Sequence, residues 1–307
     1  MGSTVFSYDA SVGDYDEFSY FEENLAEWGL EHSVPPVRRA FVAVEGLRQV
    51  SALVWGGEIP RLAMIHGSAQ NAHTFDTVAL ALDLPLVAID LPHHGHSDAS
   101  PYGPRAIKEH ALDVAVAIER LTAPPIVLVA MSYGGLVAVA CAHLRPTLVR
   151  HLVLIDITPA AHAGRARQIL DFIEGPESFA SFDEILERTT RFNPGRSESS
   201  LRRGVVHNAV RRADGTWVWR HQQHATPTRS ADTDIDPWGW LEEIAAPVTL
   251  VRAMGATSVV SDEDAHEFQR RRRGDEVIEV AGASHSVQSS HPLALAAIIR
   301  RICEASR

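Results

Sequence analysis

The sequence predicts an α/β protein in which helices cover both faces of a mostly parallel, eight-stranded sheet and a further lobe is inserted. From residue 38 to residue 159, apolar segments of strand length alternate with amphipathic segments of helix length, which is typical of parallel sheets covered on both faces. Residues 160–244 interrupt this alternation and residues 245–307 resume it. We therefore expect an α/β core of residues 38–159 and 245–307, a helical cap of residues 160–244 and an N-terminal extension of residues 1–37.

Two of the predicted strands mark the centre of the sheet. Residues 126–129 and 152–155 are apolar at every position, as strands buried on both faces must be. The strands are predicted at about residues 39–44, 49–55, 61–65, 85–90, 125–130, 150–156, 248–251 and 276–280. The helices outside the cap are predicted at about residues 21–28, 136–144, 262–273 and 292–303, with helices between the later of the first six strands.

Composition narrows the range of partners. The net charge of −11 argues against a nucleic-acid or anionic-membrane partner, because such surfaces would repel the protein on average. The N-terminus is acidic where a secretory signal is basic, and no apolar run is long enough for a membrane helix. Cys141 and Cys303 do not form a disulfide framework or a metal motif. We expect a cytoplasmic protein that acts on a small molecule, while homo-oligomer formation stays open.

Ser132 lies in a segment that has the features of a nucleophile. Residues 125–130 have strand character, residues 130–135 form a turn and residues 136–144 have helix character. A serine hydroxyl is presented for attack on such a strained turn, and the residues two before and two after it must be small because their backbones nearly touch their neighbours. Ala130 and Gly134 meet this need. A serine that only caps the helix is the other interpretation, and the strand–turn–helix context favours the nucleophile.

With these features the chain resembles the α/β-hydrolase superfamily over about residues 38–305. Residues 62–68 resemble the strand and His-Gly-x turn of that family. Residues 90–98 resemble its Asp-x-x-Gly-x-Gly-x-Ser turn, with His93 in place of one glycine. Residues 282–286 resemble the loop that carries the catalytic base. The resemblance implies an α/β-hydrolase fold, and it implies that His285 takes the proton of the serine.

The resemblance also implies an oxyanion hole and contacts to the substrate. It assigns the oxyanion hole to the backbone N–H groups of Ser68 and Tyr133. His66, Gly67 and Gln70, in the same turn as Ser68, are expected to contact the substrate. A simple turn that needs a glycine is the other interpretation of His66 and Gly67.

The third member of the triad is less evident from the sequence. Residues 253–260, where most family members carry the acid, contain no Asp or Glu. Asp262 and Asp264 follow Ser261, and this pattern already has an explanation as a helix N-cap with acids near the positive end of the helix dipole. Asp156 ends the strand that follows the nucleophile helix, a second position that some family members use. We favour Asp156, and Asp262, Asp264 or a dyad without a carboxylate stay open.

Several histidines have no spacing that indicates a metal site. His93, His94 and His96 lie on one predicted turn, and His221 and His224 lie in the cap without a third ligand. Neither set matches a known zinc pattern. A structural role in a turn near the pocket is the favoured interpretation for the first three. We expect no metal and no cofactor.

The predicted cap contains a group of large aromatic side chains, Trp217, Trp219, Trp238 and Trp240. Such residues are usually the packing core of a small lobe. If the cap shapes the substrate pocket, Trp217 and Trp219 contact a substrate with apolar bulk. Packing is favoured and substrate contact is the alternative.

These features predict acyl transfer. Ser132, activated by His285, attacks the carbonyl of a small carboxylic ester, lactone or thioester, and water releases the acyl-enzyme. Asp156 is predicted to orient His285. Two alternatives keep the fold and change the function: a hydrolase that cleaves carbon–carbon bonds of ring-cleavage products, and a ligand receptor or lyase that does not hydrolyse its ligand.

Overall fold

An eight-stranded sheet with helices on both faces forms the larger part of the computed structural model, which describes residues 15–160, 165, 167–193, 195–232 and 234–306. The strands of this sheet are β1 (Val37–Val44), β2 (Arg48–Trp55), β3 (Leu62–Ile65), β4 (Leu86–Ile89), β5 (Ile126–Met131), β6 (Val149–Ile155), β10 (Val248–Ala253) and β11 (Glu276–Val280). A second sheet contains β7 (Ser178–Phe179), β8 (Ala209–Arg211) and β9 (Trp217–Trp219). Every strand predicted for the core is present, and the bounds differ from the predicted ones by two residues at most.

The helices lie between and around these strands. They are α1 (Phe21–Trp28), α2 (Asp76–Leu82), α3 (Ile107–Leu121), α4 (Tyr133–Leu144), α5 (Arg167–Ile173), α6 (Phe182–Phe192), α7 (Glu198–Asn208), α8 (Pro237–Glu243), α9 (Asp262–Arg271), α10 (Val287–Ser290) and α11 (Pro292–Ala305), with a 3-10 helix at Ala72–Phe75. Among the residues that the structure describes, no helix is both long and apolar enough to span a bilayer.

The order of strands in the large sheet is β1-β2-β4-β3-β5-β6-β10-β11. The pairs β1–β2 and β2–β4 are antiparallel, and every other neighbouring pair is parallel. Because the chain adds β4 on one side of β3 and then returns to place β5 on the other, β3 and β5 flank a topological switch point. In open α/β sheets, ligands bind in the crevice beyond the carboxyl ends of the strands at such a point.

Two apolar clusters hold the layers together, one on each face of the sheet. Alternate residues of a strand point to opposite faces, and β5 follows this rule: Leu128 and Ala130 belong to one cluster, and Val127 and Val129 belong to the other. The first cluster also includes residues of α3, α4, α8 and α9. The second includes residues of α1, α2 and α11. The central strands are therefore covered on both sides, as their continuous apolar sequence predicts.

The inserted lobe differs from the prediction in two ways. It was expected to be helical, but it also contains the antiparallel sheet β7–β9–β8, whose strands of two or three residues are too short to leave a periodic signal in the sequence. In addition, α8 lies within the residues assigned to the cap but packs with the core, because its fully buried Leu241 joins the same apolar cluster as α3 and α4.

The N-terminal extension packs on the core, as far as the structure describes it from residue 15 onward. Phe21 and Leu25 of α1 are buried in the apolar cluster that contains α2 and α11. The ring of Phe21 lies 4.7 Å from that of Trp55. The guanidinium of Arg39 on β1 donates to both carboxylate oxygens of Glu17 in the extension. The first part of the predicted extension lies outside the described residues.

Candidate active site

The residues predicted for the triad and the oxyanion hole follow the carboxyl ends of strands of the large sheet. In the parallel register Ile65 of β3 is paired with Ala130 of β5, and Met131 of β5 is paired with Ile155 of β6. The residues that follow these strands therefore leave the sheet side by side. β10 continues the series beside β6, and β11 lies beside β10. One edge of the sheet thus collects the loops after β3, β5, β6 and β11.

Ser132 occupies a strained turn between β5 and α4. Its backbone has φ 52° and ψ −126°, a conformation that a residue with a Cβ rarely adopts unless its surroundings enforce it. A Cβ on Gly134 would lie 2.2 Å from the carbonyl oxygen of His66, and a Cβ on Gly135 would lie 2.4 Å from Ile157 Cγ2. The small residues let the start of α4 pack against β3 and β6. Ser132 itself is partly exposed.

His285 contacts the carboxylate of Asp156. Its Nδ1 lies 2.8 Å from Asp156 Oδ2, and the loop after β11 carries the imidazole to a position where only 6% of the residue is exposed. A carboxylate can only accept, so Nδ1 carries the proton and its N–H donates a hydrogen bond to Asp156. The lone pair of His285 is then on Nε2, the nitrogen that a base of this kind uses.

Asp156 is a buried carboxylate whose oxygens are both fully engaged. Oδ1 accepts from the N–H of Ala253 at 3.0 Å and from Ser258 Oγ at 2.7 Å. Oδ2 accepts from the N–H of Val259 at 3.0 Å and from His285. These four hydrogen bonds use the four lone-pair sites of a carboxylate. They hold the side chain in one orientation, so the position of the His285 ring is fixed as well.

The alternative acids have other partners. Asp262 is exposed and pairs with Arg252. Asp264 is buried and accepts from the backbone N–H and the hydroxyl of Ser261, which completes a capping box at the start of α9. In the structure as described, the carboxylate at His285 is that of Asp156. The capping interpretation of Asp264 is confirmed.

The loop that lacks the expected acid contributes to the site in another way. Residues 253–260 contain no Asp or Glu, yet Ala253, Ser258 and Val259 supply three of the four hydrogen bonds to Asp156. Sequence reasoning did not identify these donors. The absence of an acid from the loop was the only signal, and it did not specify which residues would donate.

The turn after β3 lies against Ser132, and the N–H of Ser68 within it is available to a ligand. A Cβ on Gly67 would lie 3.1 Å from Ser132 Cβ. The N–H of Gly67 donates to Gln70 Oε1 at 3.1 Å, that of Gln70 to the carbonyl of Gly67, and that of Ala69 to His94 Nε2. The N–H of Ser68 has no acceptor among the described residues. Tyr133 is the first residue of α4, and an N–H at that position is not used within the helix.

His66 and Gln70 serve this turn through specific hydrogen bonds. His66 is fully buried: its Nε2 accepts from the N–H of Leu91 at 3.0 Å, and its Nδ1 donates to the carbonyl of Gly67 at 2.7 Å. Burial lowers the pKa of His66, so the ring is neutral. Gln70 Nε2 donates to Ser286 Oγ, next to His285. Both ring nitrogens of His66 are bonded to the backbone, which favours a structural role for the ring. Contact of His66 with substrate stays a prediction.

Trp217 and Trp219 pack within the cap. Trp217 lies edge-on to Phe182 at 5.3 Å, and Trp219 lies edge-on to Phe172 at 5.7 Å and to Phe179 at 5.8 Å. Both tryptophans are half-buried against the apolar cluster of the lobe. These contacts agree with the packing interpretation.

One group of side chains in the described part of the chain has spacing suited to a metal ion. The candidate ligand atoms of His73, Asp76 and His207 lie within 4.8 Å of one another. However, the nitrogens of His73 already contact Asp76 and Glu17, at 2.9 and 3.0 Å. The rings of His73 and His207 are stacked at 3.8 Å with 7° between their planes. One ion cannot lie in both ring planes, so this arrangement does not fit metal binding.

The fold is that of an alpha/beta hydrolase, and comparison with known proteins agrees. The chain belongs to the alpha/beta hydrolase family, whose sequence profile matches residues 62–298.

Among individual relatives, esterase Rv0045c of Mycobacterium tuberculosis is 37% identical over 305 residues, which covers 96% of this chain and 98% of the relative. A solved structure of that esterase has a TM-score of 0.82 at 36% identity and covers 94% of this chain and 99% of its own. Lipase LipV of the same organism is 27% identical and covers 78% of this chain and 92% of the relative.

Proposed function

We propose that this chain is a serine esterase that hydrolyses small carboxylic esters through an acyl-enzyme. The observation that carries the proposal is the hydrogen bond between His285 and the fully buried Asp156, at the sheet edge where Ser132 occupies its strained turn. The full-length similarity to an esterase at 37% identity favours an ester over a lactone or a thioester.

The proposed reaction has two halves. In the first, Ser132 Oγ attacks the ester carbonyl while His285 Nε2 takes the hydroxyl proton, and the tetrahedral intermediate collapses when His285 returns that proton to the leaving alcohol. In the second, water attacks the acyl-enzyme by the same route and releases the carboxylic acid. Asp156 holds the imidazole in the required tautomer and stabilises its cationic form.

The oxyanion of each intermediate is held by the N–H groups of Ser68 and Tyr133. The Ser68 N–H has no acceptor within the described residues, and the Tyr133 N–H is at the start of α4. Donors of this kind act on charge that develops in the transition state, and loss of one costs about 3 kcal/mol of barrier. The acyl group would lie beneath the cap lobe. A cytoplasmic location and the absence of a nucleic-acid or membrane partner stay predictions, and homo-oligomer formation stays open.

The proposal is tested with a series of p-nitrophenyl esters from acetyl to dodecanoyl, assayed on the full chain and on Ser132→Ala. We expect the unmutated chain to release p-nitrophenol in a burst followed by steady turnover, because p-nitrophenol leaves during acylation and hydrolysis of the acyl-enzyme is the slower step for such activated esters. Ser132→Ala should lower kcat by roughly 10⁴-fold or more.

A ring-cleavage product and a lactone, tested in parallel, separate the alternatives. Turnover of the ring-cleavage product alone would indicate a carbon–carbon hydrolase. No turnover of any substrate, together with saturable binding, would indicate a receptor.

A further inference from the structure

Ala69, in the turn that carries Ser68, has an unusual conformation that two side chains hold in place. Its φ is 59°, in the left-handed region that residues with a Cβ rarely adopt. Its N–H donates to His94 Nε2 at 3.1 Å, and its carbonyl accepts from Asn208 Nδ2. His94 lies in the turn after β4, whereas Asn208 is the last residue of α7 in the cap lobe. Both polar groups of Ala69 are therefore fixed from outside the turn.

The amide of Asn208 is itself held in one orientation. Its Oδ1 accepts from Asn71 Nδ2 at 3.2 Å, and the same Asn71 nitrogen donates to the carbonyl of His207 at 2.9 Å. Because Oδ1 must face the Asn71 donor, Nδ2 must face Ala69. Rotating the amide by half a turn would break both bonds.

The ring of His94 is oriented in the same manner. Its Nδ1 donates to the carbonyl of Pro92 at 2.9 Å, so its Nε2 is the acceptor. Burial keeps the pKa of His94 well below its usual value, so the ring is neutral and Nε2 has its lone pair. Gln223 of the cap lobe also contacts this nitrogen, at 2.7 Å. Gln223 is thus a second cap residue that contacts a side chain holding the turn.

We propose that Asn208 and His94 are positioning residues that align the Ser68 N–H of the oxyanion hole. Ser68 lies between Gly67, which Gln70 holds, and Ala69, which His94 and Asn208 hold. With both neighbours fixed, the direction of the Ser68 N–H is fixed as well. Through Asn208 the cap lobe sets the alignment of a catalytic donor in the core. This inference rests on the proposed esterase function.

Asn208→Asp tests the proposal because it keeps the shape of the side chain and the acceptor for Asn71 while it removes the donor to Ala69. Asn193→Asp is the matched control: Asn193 is in the same lobe, and its Nδ2 donates to the carbonyl of Thr189 at 2.8 Å, far along the chain from the turn. The measurements are kcat and KM for p-nitrophenyl butyrate, and the inhibition constant of an alkyl trifluoromethyl ketone. The ketone forms a serine adduct whose oxyanion lies in the hole.

We expect Asn208→Asp to lower kcat by roughly 10- to 100-fold, because a small misplacement of a catalytic group has effects of this size. The inhibitor affinity should fall by a similar factor, while KM stays close to the wild-type value. Asn193→Asp should behave as the unmutated chain. Asn208→Ala removes the donor without adding a charge, and it should give the same loss of kcat. It serves as the test if the Asp variant folds poorly.

Two results would overturn the inference. If Asn208→Asp and Asn193→Asp have the same kcat, Asn208 does not position the turn. If KM rises while kcat and the ketone affinity are unchanged, the residue acts on substrate entry or on the packing of the cap. Failure of the proposed function is distinct, because the unmutated chain would then hydrolyse no ester.

Discussion

The sheet edge and the cap lobe meet at the proposed active site, but they are held together in different ways. At the sheet edge, a Cβ on Gly134 would lie 2.2 Å from a backbone oxygen, and Asp156 accepts four hydrogen bonds. In the cap, a small apolar cluster around Ile185 and Val205 holds short elements, and a Cβ on Gly204 would meet nothing within 4 Å. The difference indicates that the sheet edge tolerates little change, whereas the lobe tolerates substitution at open positions such as Gly204.

Among the variants that compare the two regions, replacement of the buried acid should have the largest effect. Asp156→Asn puts an amide where four donors converge and favours the wrong His285 tautomer, so kcat should fall by roughly 10³- to 10⁴-fold. Asp262→Asn is the matched control, because Asp262 is exposed and pairs with Arg252, and it should change kcat little. Ester hydrolysis and thermal unfolding of both variants provide the measurement. The reverse ranking would indicate that the catalytic acid is Asp262 in α9.

A second pair of variants compares glycine positions in the two regions. Gly134→Ala forces a methyl group against the carbonyl of His66, so we expect activity to fall and the free energy of unfolding to drop by about 2 kcal/mol. Gly204→Ala, in the exposed part of α7, should leave activity unchanged and raise the free energy of unfolding by about 0.5–1 kcal/mol. Urea unfolding measures the free energy of unfolding of both variants, and ester hydrolysis measures their activity. Equal effects of the two substitutions would show that the regions are not packed differently.

The aromatic cluster of the cap should have a moderate effect. Trp219→Ala removes contacts to Phe172 and Phe179, and we expect the free energy of unfolding to fall by about 2 kcal/mol with a smaller change in kcat. Trp219→Phe should restore most of the stability. If Trp219→Ala keeps its stability but loses activity toward long acyl chains, the tryptophan contacts substrate and the packing interpretation is wrong.

The smallest effect on turnover is expected from the contact between the extension and the core. Burial by itself would lower the pKa of His73, but Asp76 and Glu17 raise it to about 9. The stabilisation of the folded state by protonated His73 is therefore complete below the ordinary pKa of 6.5 and is lost as the pH rises through about 9. Burial would raise the pKa of Glu17, but His73 and Arg39 lower it to about 2.

The contribution of Glu17 is present above its ordinary pKa of 4.5 and is lost as the pH falls toward 2. We expect the free energy of unfolding to decrease from neutral pH to pH values above about 9 and Glu17→Gln to reduce this dependence, with turnover near the wild-type value. Chemical denaturation at several pH values measures the free energy of unfolding of both proteins. An unchanged dependence in Glu17→Gln would contradict the assignment to this contact.

Local sequence was sufficient to predict the sheet edge. Strands that are apolar at every position, such as residues 126–129, are fully buried and can be recognised from the sequence. Once those strands are located, the residues that follow them must share one edge, because parallel strands end together. Asp156 was singled out by the resemblance to the α/β-hydrolase superfamily, because the usual position for the acid is empty and some members carry it at the end of this strand.

Features that depend on distant contacts could not be predicted. Strands of two or three residues in the cap leave no period, so the lobe was expected to be helical. Nothing in the local sequence of His66 shows that its Nε2 accepts a hydrogen bond from the N–H of Leu91. The bond from Asn208 to Ala69 joins residues 139 positions apart, and no local pattern contains such a pair.

Labelling of the full chain with a fluorophosphonate probe, followed by mass spectrometry of the modified peptide, tests the central claim most directly. We expect a single adduct on Ser132, formed far more slowly in His285→Ala and absent in Ser132→Ala. An adduct on another residue, or labelling of the unmutated chain that is no faster than that of Ser132→Ala, would contradict it.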